Sequence, residues 1–195
     1  MLMKRLLLCL LTAGTLLNAG ENQTFQDGDV VGFCGDSLTH AGYSEVNYTH
    51  VLFNYYVTHF PEREIELRNL GVGRATILNG LDLYGQDPAA RGLTKVVLEY
   101  GINDTKNLYE DPEFYADTEK TERESLLNFK DSLKQFLTVL QEDGIASSKV
   151  FAATLPIPRA LKPEEAEDPS LPQTRLQESY ENRSDIIRNF AAENG

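Results

Sequence analysis

Ser37 lies in the sequence GFCGDSLTH, directly after a short apolar run and at the start of a predicted helix. A serine at such a strand-to-helix turn is well placed to act as a nucleophile, but its hydroxyl group is unreactive by itself. It needs a base that removes its proton, and hydrogen-bond donors for the oxyanion that forms when it attacks an acyl carbon. The sequence offers such donors in the backbone N–H of Ser37, in the glycine turn NLGVGRAT (69–76) and in the side-chain amide of Asn103.

A purely structural interpretation of the same residues is also open. In a Gly-Asp-Ser sequence, either Asp36 or Ser37 could cap the first turn of a helix, and Asn103 could be a turn residue that bonds its own backbone. An isolated Gly-Asp-Ser favours the capping role. The presence of Asn103 in a second polar turn favours a chemical site.

The elements that must position these residues alternate between short apolar strands and amphipathic helices, which is typical of a parallel sheet covered by helices. The predicted strands are 29–35, 64–71, 94–101 and 149–158. The predicted helices include 44–60, with Val46, Val51, Tyr55 and Phe60 at helical spacing, 125–144, and about 175–193. Since reactive groups collect at the carboxyl ends of the strands in such sheets, we expect the turns after strands one, two and three to meet at one rim.

Two of these turns resemble the motifs of the SGNH (GDSL-type) hydrolase family. The first is Gly35-Asp36-Ser37-Leu38-Thr39 and the second is Gly101-Ile102-Asn103-Asp104. The resemblance implies an α/β, flavodoxin-like, three-layer α/β/α fold with a central parallel sheet. It also implies esterase or acylhydrolase activity, with Ser37 as nucleophile and with the Ser37 N–H and the Asn103 side chain in the oxyanion hole. Gly35, Asp36 and Gly101 support the two motifs.

The turn after the second strand supplies a further oxyanion N–H in this family, and here it can be aligned in two ways. In Asn69-Leu70-Gly71-Val72-Gly73-Arg74, the ungapped alignment puts Arg74 where the family usually has glycine. We favour Gly73 as the donor. The backbone N–H of Arg74 is the alternative.

The family's last motif, Asp-x-x-His, which supplies the general base and its orienting carboxylate, does not occur in the sequence. The three histidines, His40, His50 and His59, all lie early in the chain, and none of them is expected to be the base. We therefore expect the chain to be a fragment, with a signal peptide at 1–20 and a C-terminally incomplete SGNH hydrolase-like domain at 21–195 that lacks the last strand and helix. No general base and no Asp partner are assigned within it.

Composition restricts the location and the partners of this domain. Lys4 and Arg5, an apolar run from Leu6 to Leu17 and the small residues Ala19 and Gly20 have the layout of a cleaved signal peptide, so we expect a secreted or periplasmic protein without stable membrane insertion. A net charge of -12 opposes nucleic-acid binding. No cofactor and no metal are implied.

The expected function is cleavage of an acyl ester through an acyl-enzyme on Ser37, with a small-molecule or glycan ester as substrate. Export and an acidic surface fit a carbohydrate O-acetyl esterase. The alternatives are a lysophospholipase- or thioesterase-type acylhydrolase, and a catalytically inactive SGNH-like domain that binds glycan.

Overall fold

The computed structural model of the protein describes residues 25–40, 47–105, 118–155 and 172–194. The predicted signal peptide, residues 1–20, lies outside these ranges. The strands are β1 (Val30–Gly35), β2 (Glu66–Asn69), β3 (Lys95–Glu99) and β4 (Val150–Ala152). The helices are α1 (Ser37–His40), α2 (Tyr48–His59), α3 (Ile77–Gln86), α4 (Thr118–Glu142) and α5 (Pro172–Asn194), with short 3-10 turns at Pro88–Ala90 and Ser147–Lys149.

The four strands form one sheet in the order β2-β1-β3-β4, and every pair is parallel. Alternate residues of β3 point to opposite faces: Val96 and Leu98 pack into the larger apolar core, while Val97 packs against the smaller one. The larger core contains residues of α3, α4 and α5, and the smaller one contains residues of α2. The predicted three-layer α/β/α fold with a central parallel sheet is therefore confirmed.

Helix α4 is the longest element of the larger core, and it includes most of the predicted helix 125–144 but begins earlier, at Thr118. Phe129, Leu133, Phe136, Leu137 and Leu140 are all buried. The helix ends as expected at Gly144, which takes a φ of 87° while the N–H of Ile145 donates to the Leu140 carbonyl at 2.9 Å. This is a Schellman arrangement, which favours glycine because the backbone is left-handed there.

Helix α2 covers the other face of the sheet, but it does so with a different stripe from the predicted one. Tyr55 was expected to share the stripe with Val51 and is 43% exposed. The side chains that pack on the sheet are Tyr48, Leu52 and Tyr56. The prediction for Tyr55 is wrong because the stacking of Tyr56 on Phe25 sets the rotation of the helix, and Phe25 lies outside the helix.

The amino ends of β1 and β3 are joined by a buried ion pair. Lys95 Nζ lies 2.6 Å from Asp29 Oδ2, and their side chains are only 1% and 10% exposed. Thr94 Oγ1 donates to the other carboxylate oxygen at 2.9 Å. Burial works against the charge, but the hydrogen bonds from Lys95, the Gln26 N–H and Thr94 lower the pKa of Asp29.

Candidate active site

Ser37 is the first residue of α1, directly after the carboxyl end of β1, and it is exposed. Within the residues that the structure describes, its hydroxyl group makes no hydrogen bond. Because the first N–H groups of a helix have no partner inside the helix, the Ser37 N–H is a free donor beside its own hydroxyl. The serine is therefore accessible, and a candidate oxyanion donor lies beside its hydroxyl group.

Asp36 lies beneath Ser37 and is completely buried. Its carboxylate accepts a hydrogen bond from the Leu38 N–H at 2.9 Å, which fixes the first turn of α1. Its own N–H donates to the Glu99 carbonyl at 3.2 Å and so extends the β1–β3 pairing by one residue. Asp36 thus acts as the helix cap that the structural interpretation predicts, and at the same time it orients the turn that presents Ser37.

Asn103 lies where the prediction puts it, at the same rim, and is 7% exposed. Its side-chain nitrogen donates to the Ala75 carbonyl at 3.0 Å and to Asp36 Oδ2 at 3.3 Å. Both N–H groups of the amide are therefore engaged. Donation to an oxyanion requires one of them to be released, and the longer bond, to Asp36, is the weaker of the two.

The turn after β2 is held against α1 by two short contacts, and a third closes the turn itself. The Asn69 side-chain nitrogen donates to the Thr39 carbonyl at 2.6 Å, and its oxygen accepts from the Gly71 N–H at 2.9 Å. His40 Nδ1 lies 2.7 Å from the Gly71 carbonyl. A Cβ atom on Gly71 would lie 2.5 Å from the backbone nitrogen of His40, so glycine is required for this close approach.

The candidate oxyanion donors of this turn are at its tip. The Ala75 N–H donates to the Val72 carbonyl at 3.1 Å, which closes a β-turn around Gly73 and Arg74. Neither of these two central N–H groups donates to any described residue, so both alternatives stay open. Arg74 has a φ of 67°, a left-handed conformation that usually belongs to glycine at this position of a turn.

The three histidines do not provide a base for Ser37 in the described ranges. The ring of His40 is turned towards Gly71. His50 and His59 are exposed on α2, where the ring of His59 packs 4.6 Å from that of Tyr55. No hydrogen bond joins any of them to the serine hydroxyl.

Glu99, the last residue of β3, is a part of this rim that the sequence analysis missed. It is 5% exposed, and its Oε2 accepts a hydrogen bond from Thr39 Oγ1 at 3.1 Å. Burial and the negative charge of Asp36 raise the pKa of Glu99 to about 9, and burial raises the pKa of Asp36 as well. A glutamate inside the otherwise apolar run VVLEYG is the signal that could have revealed it.

Asp104, from the second motif, connects this rim to helix α3. Both of its carboxylate oxygens accept from the Ile77 N–H, at 3.2 and 3.3 Å, so Asp104 satisfies the first N–H group of that helix. Burial raises its pKa to about 6, although the nearby Arg183 acts in the opposite direction. Asp104 therefore has a structural role at the start of α3.

The described residues hold neither a metal-binding cluster nor a membrane-spanning helix. In these ranges there is no group of three or more His, Cys, Asp or Glu side chains placed to hold a metal ion. Over the same ranges, no helix is both long and apolar enough to cross a membrane. Cys34 is a residue of the larger core, and burial raises the pKa of its thiol to about 12.

Comparison with known proteins gives solved structures of the same fold. No protein-family model and no curated protein matches the chain. Axe2, an acetylxylan esterase from Geobacillus stearothermophilus, matches 86% of this chain and 75% of its own, with a TM-score of 0.63 and 17% identity. A second acetyl xylan esterase, AlAXEase, matches 85% of this chain and 73% of its own, with a TM-score of 0.60 and 26% identity.

A third structure is that of a gut microbial diltiazem-metabolizing enzyme, with a TM-score of 0.67 and 20% identity. It matches 88% of this chain, which spans only 36% of that enzyme's length. The parallel sheet and its flanking helices are thus shared with acetylxylan esterases. The chain has the fold of these SGNH-type esterases, and the resemblance that its sequence motifs indicate is confirmed.

Proposed function

We propose that this protein is a serine ester hydrolase in which Ser37 forms an acyl-enzyme, and that its substrate is an O-acetylated carbohydrate. The observation that carries the proposal is the position of Ser37. It is exposed at the carboxyl end of β1, and the turns that follow β2 and β3 are hydrogen-bonded to the same rim. This is where the loops of a parallel α/β sheet gather a reactive site.

In the proposed reaction, the Ser37 hydroxyl attacks the acyl carbon and transfers its proton to a base. The negative charge that develops on the acyl oxygen is stabilised by the Ser37 N–H, by Asn103 and by the N–H of Gly73 or Arg74. Collapse of this intermediate releases the alcohol, and water then hydrolyses the acyl-enzyme. The base is not among the described residues, and its location beyond residue 195 remains a prediction.

The substrate class is supported by the solved structures of the same fold. Two of the three are acetylxylan esterases, and for Axe2 there are catalytic mutants that replace a serine, an aspartate and a histidine. The net charge of -12 also favours a neutral substrate over an anionic one. Export of the protein, with cleavage near residue 20, belongs to the same proposal, and N-terminal sequencing of the secreted product tests it.

One observation favours a second candidate, a catalytically inactive domain that binds glycan. Within the described ranges no side chain is hydrogen-bonded to the Ser37 hydroxyl, so its nucleophilicity depends on a group outside them. A lysophospholipase- or thioesterase-type acylhydrolase is the alternative inside the enzyme class.

Labelling with a fluorophosphonate probe tests the proposal. The chain and a form extended through the downstream reading frame are compared, each with Ser37→Ala and with Ser148→Ala. Ser148 is an exposed serine in the 3-10 turn that precedes the amino end of β4. We expect labelling that Ser37→Ala abolishes and Ser148→Ala preserves. Folded protein that is never labelled, but binds xylo-oligosaccharides in calorimetry, would support the inactive domain.

The substrate is tested by the product released from three substrates, which are offered to untreated protein of the form that reacts with the probe. We expect acetate from acetylated xylo-oligosaccharides at a rate well above that of fatty-acid release from lysophospholipid or thiol release from an acyl thioester. Faster cleavage of either of the last two would replace the carbohydrate assignment.

A further inference from the structure

The carboxyl group of Glu99 is part of a chain of hydrogen bonds beneath the candidate nucleophile. Thr39 Oγ1 donates to Glu99 Oε2 at 3.1 Å and lies 2.7 Å from the hydroxyl oxygen of Tyr48. Because the Thr39 hydroxyl has one proton and gives it to Glu99, the Tyr48 hydroxyl must be the donor to Thr39. The chain therefore runs from Tyr48 on α2, through Thr39 on α1, to Glu99 on β3.

The backbone of Glu99 also contacts the same turn. Its carbonyl accepts the Asp36 N–H, and its neighbour across the sheet is Gly35. A Cβ atom on Gly35 would lie 2.1 Å from Thr39 Oγ1 and 2.8 Å from the Glu99 carbonyl oxygen. The turn that carries Ser37 is thus packed directly on Glu99, with no space between them.

No cation faces the Glu99 carboxyl group in the described part of the chain. The charged side chain that acts on it is Asp36, from the turn after β1. The ionisable hydroxyl groups near it are those of Tyr48, from α2, and Tyr100, next in the chain, whose pKa values are raised by burial and by the charge of Glu99. Its Oε1 makes no hydrogen bond with any described residue. An ionised carboxylate that is buried directly beside a second carboxyl group, that of Asp36, is very unfavourable.

We propose that Glu99 is a positioning residue of the candidate active site: as a buried neutral acid, it fastens the turn Asp36–His40, and with it Ser37, to the end of β3. The proposal rests on the proposed function in one respect, that Ser37 is the nucleophile. Burial and Asp36 raise the pKa of Glu99 to about 9, in agreement with a neutral acid at physiological pH.

Two substitutions separate this role from a general contribution to the core. Glu99→Gln keeps a neutral side chain of the same shape with an oxygen that accepts from Thr39. Glu99→Leu keeps the volume and removes the acceptor. Val97, two residues earlier in β3, packs against the smaller core. Val97→Ala is therefore the control for a loss of core contacts.

The first readout is hydrogen exchange of the Leu38 and His40 amides, which are bonded to Asp36. At pH 7 we expect Glu99→Gln to exchange within about twofold of the wild type. We expect Glu99→Leu to exchange at least about tenfold faster at these two amides, with α4 unchanged, because a local opening exposes only the turn. Equal acceleration in α4, or none in the turn, would overturn the proposal.

The second readout is the pH dependence of unfolding in urea. The folded wild type holds a proton on Glu99 that the unfolded chain releases above its ordinary pKa of 4.5, so the wild type loses stability as the pH rises towards 9. Glu99→Gln lacks this loss. The ratio of the wild-type unfolding constant to that of Glu99→Gln should rise with pH, by up to about tenfold per unit. If the ratio of the two unfolding constants stays the same between pH 5 and 9, Glu99 is not a neutral acid in the folded protein.

The third readout is the rate of fluorophosphonate labelling of the folded protein, corrected for the unfolded fraction. Labelling that falls in Glu99→Leu and is restored in Glu99→Gln supports the positioning role. Labelling at the wild-type rate in Glu99→Leu refutes it and leaves the proposed function intact. A wild type that is unlabelled both as this chain and in the extended form refutes the proposed function, while the exchange and unfolding results still decide whether Glu99 fastens the turn.

Discussion

His40 Nδ1 donates a hydrogen bond of 2.7 Å to the carbonyl oxygen of Gly71. Since a carbonyl can only accept, the proton must be on Nδ1, and the bond persists whether the ring is neutral or charged. It joins the turn that carries the candidate nucleophile to the turn that carries the candidate oxyanion donors. The histidine nearest to Ser37 in the sequence therefore links two turns by a hydrogen bond.

Replacement of His40 by alanine should loosen the turn after β2 without removing any reacting group. We expect a loss of about 1 kcal/mol in the free energy of unfolding. We also expect roughly tenfold slower labelling of Ser37, because misplaced oxyanion donors stabilise the transition state less well. Urea denaturation and labelling kinetics measure the two effects. His59→Ala, in an exposed ring on α2, is the control, and an equal loss of labelling there would refute the interpretation.

The two glycines of the turn after β2 should respond very differently to alanine. A Cβ atom at Gly71 would lie 2.5 Å from the backbone nitrogen of His40, whereas one at Gly73 would have no heavy atom within 4 Å. Gly71→Ala should therefore cost about 2 kcal/mol or more, since the clash is with backbone, and should abolish labelling. Gly73→Ala keeps its N–H and should remain within about 0.5 kcal/mol of the wild type. Similar melting curves for the two variants would contradict the geometry of this turn.

Arg74 pays a conformational cost that glycine would not pay. Its φ of 67° is unfavourable for a residue with a Cβ atom by about 1 kcal/mol or more. Arg74→Gly removes this strain and increases the flexibility of the unfolded chain, so we expect a net gain of about 0.5 kcal/mol.

Arg74→Ala is the matched control, because alanine keeps the strain and loses the charge. It should be no more stable than the wild type in urea denaturation. If Arg74→Ala gains as much as Arg74→Gly, the backbone conformation of Arg74 is not the cause.

The buried pair between Lys95 and Asp29 should matter far more than a surface pair. Lys95→Met leaves the Asp29 carboxylate buried without its cation and should cost about 3 to 5 kcal/mol. The control is Lys134→Met. The ammonium group of Lys134 lies 3.9 Å from Asp131, and both side chains are more than half exposed. This substitution should cost less than about 1 kcal/mol.

The same pair predicts a dependence on acid. The pKa of Asp29 is lowered in the folded state, so its contribution is present above the ordinary value of 3.8 and is lost as the pH falls through the lowered one. Urea denaturation from pH 7 down to pH 2.5 should show this loss in the wild type. A wild type and a Lys95→Met variant that lose stability in parallel would contradict it.

The sequence predicts the positions of the four described strands because each predicted run ends at a glycine or a proline, but β4 ends at Ala152, short of the predicted 158. It also predicts the meeting of Ser37 and Asn103, since parallel strands bring their carboxyl ends to one rim. Helix α3 was not predicted individually, because Gly80 and Gly85 reduce its helical propensity. Gly80 is required there, since a Cβ atom would lie 2.3 Å from the ring of Tyr100.

The part that could not be predicted depends on neighbours distant in the chain. The protonation of Glu99 depends on its burial and on Asp36, which is 63 positions earlier (99 minus 36). The orientation of His40 depends on a carbonyl group 31 residues away. The left-handed backbone of Arg74 follows from the closure of a turn, and nothing in the side chain indicates it.

The strand order β2-β1-β3-β4 places the first strand to leave the ribosome between two that emerge later. At a translation rate of about 5 to 20 residues per second, β1 waits roughly 3 to 13 s for β3, which begins 65 residues after it (95 minus 30). Until then its row of apolar side chains has one neighbour at most. We therefore expect nascent β1 to expose an unpaired strand edge during this interval.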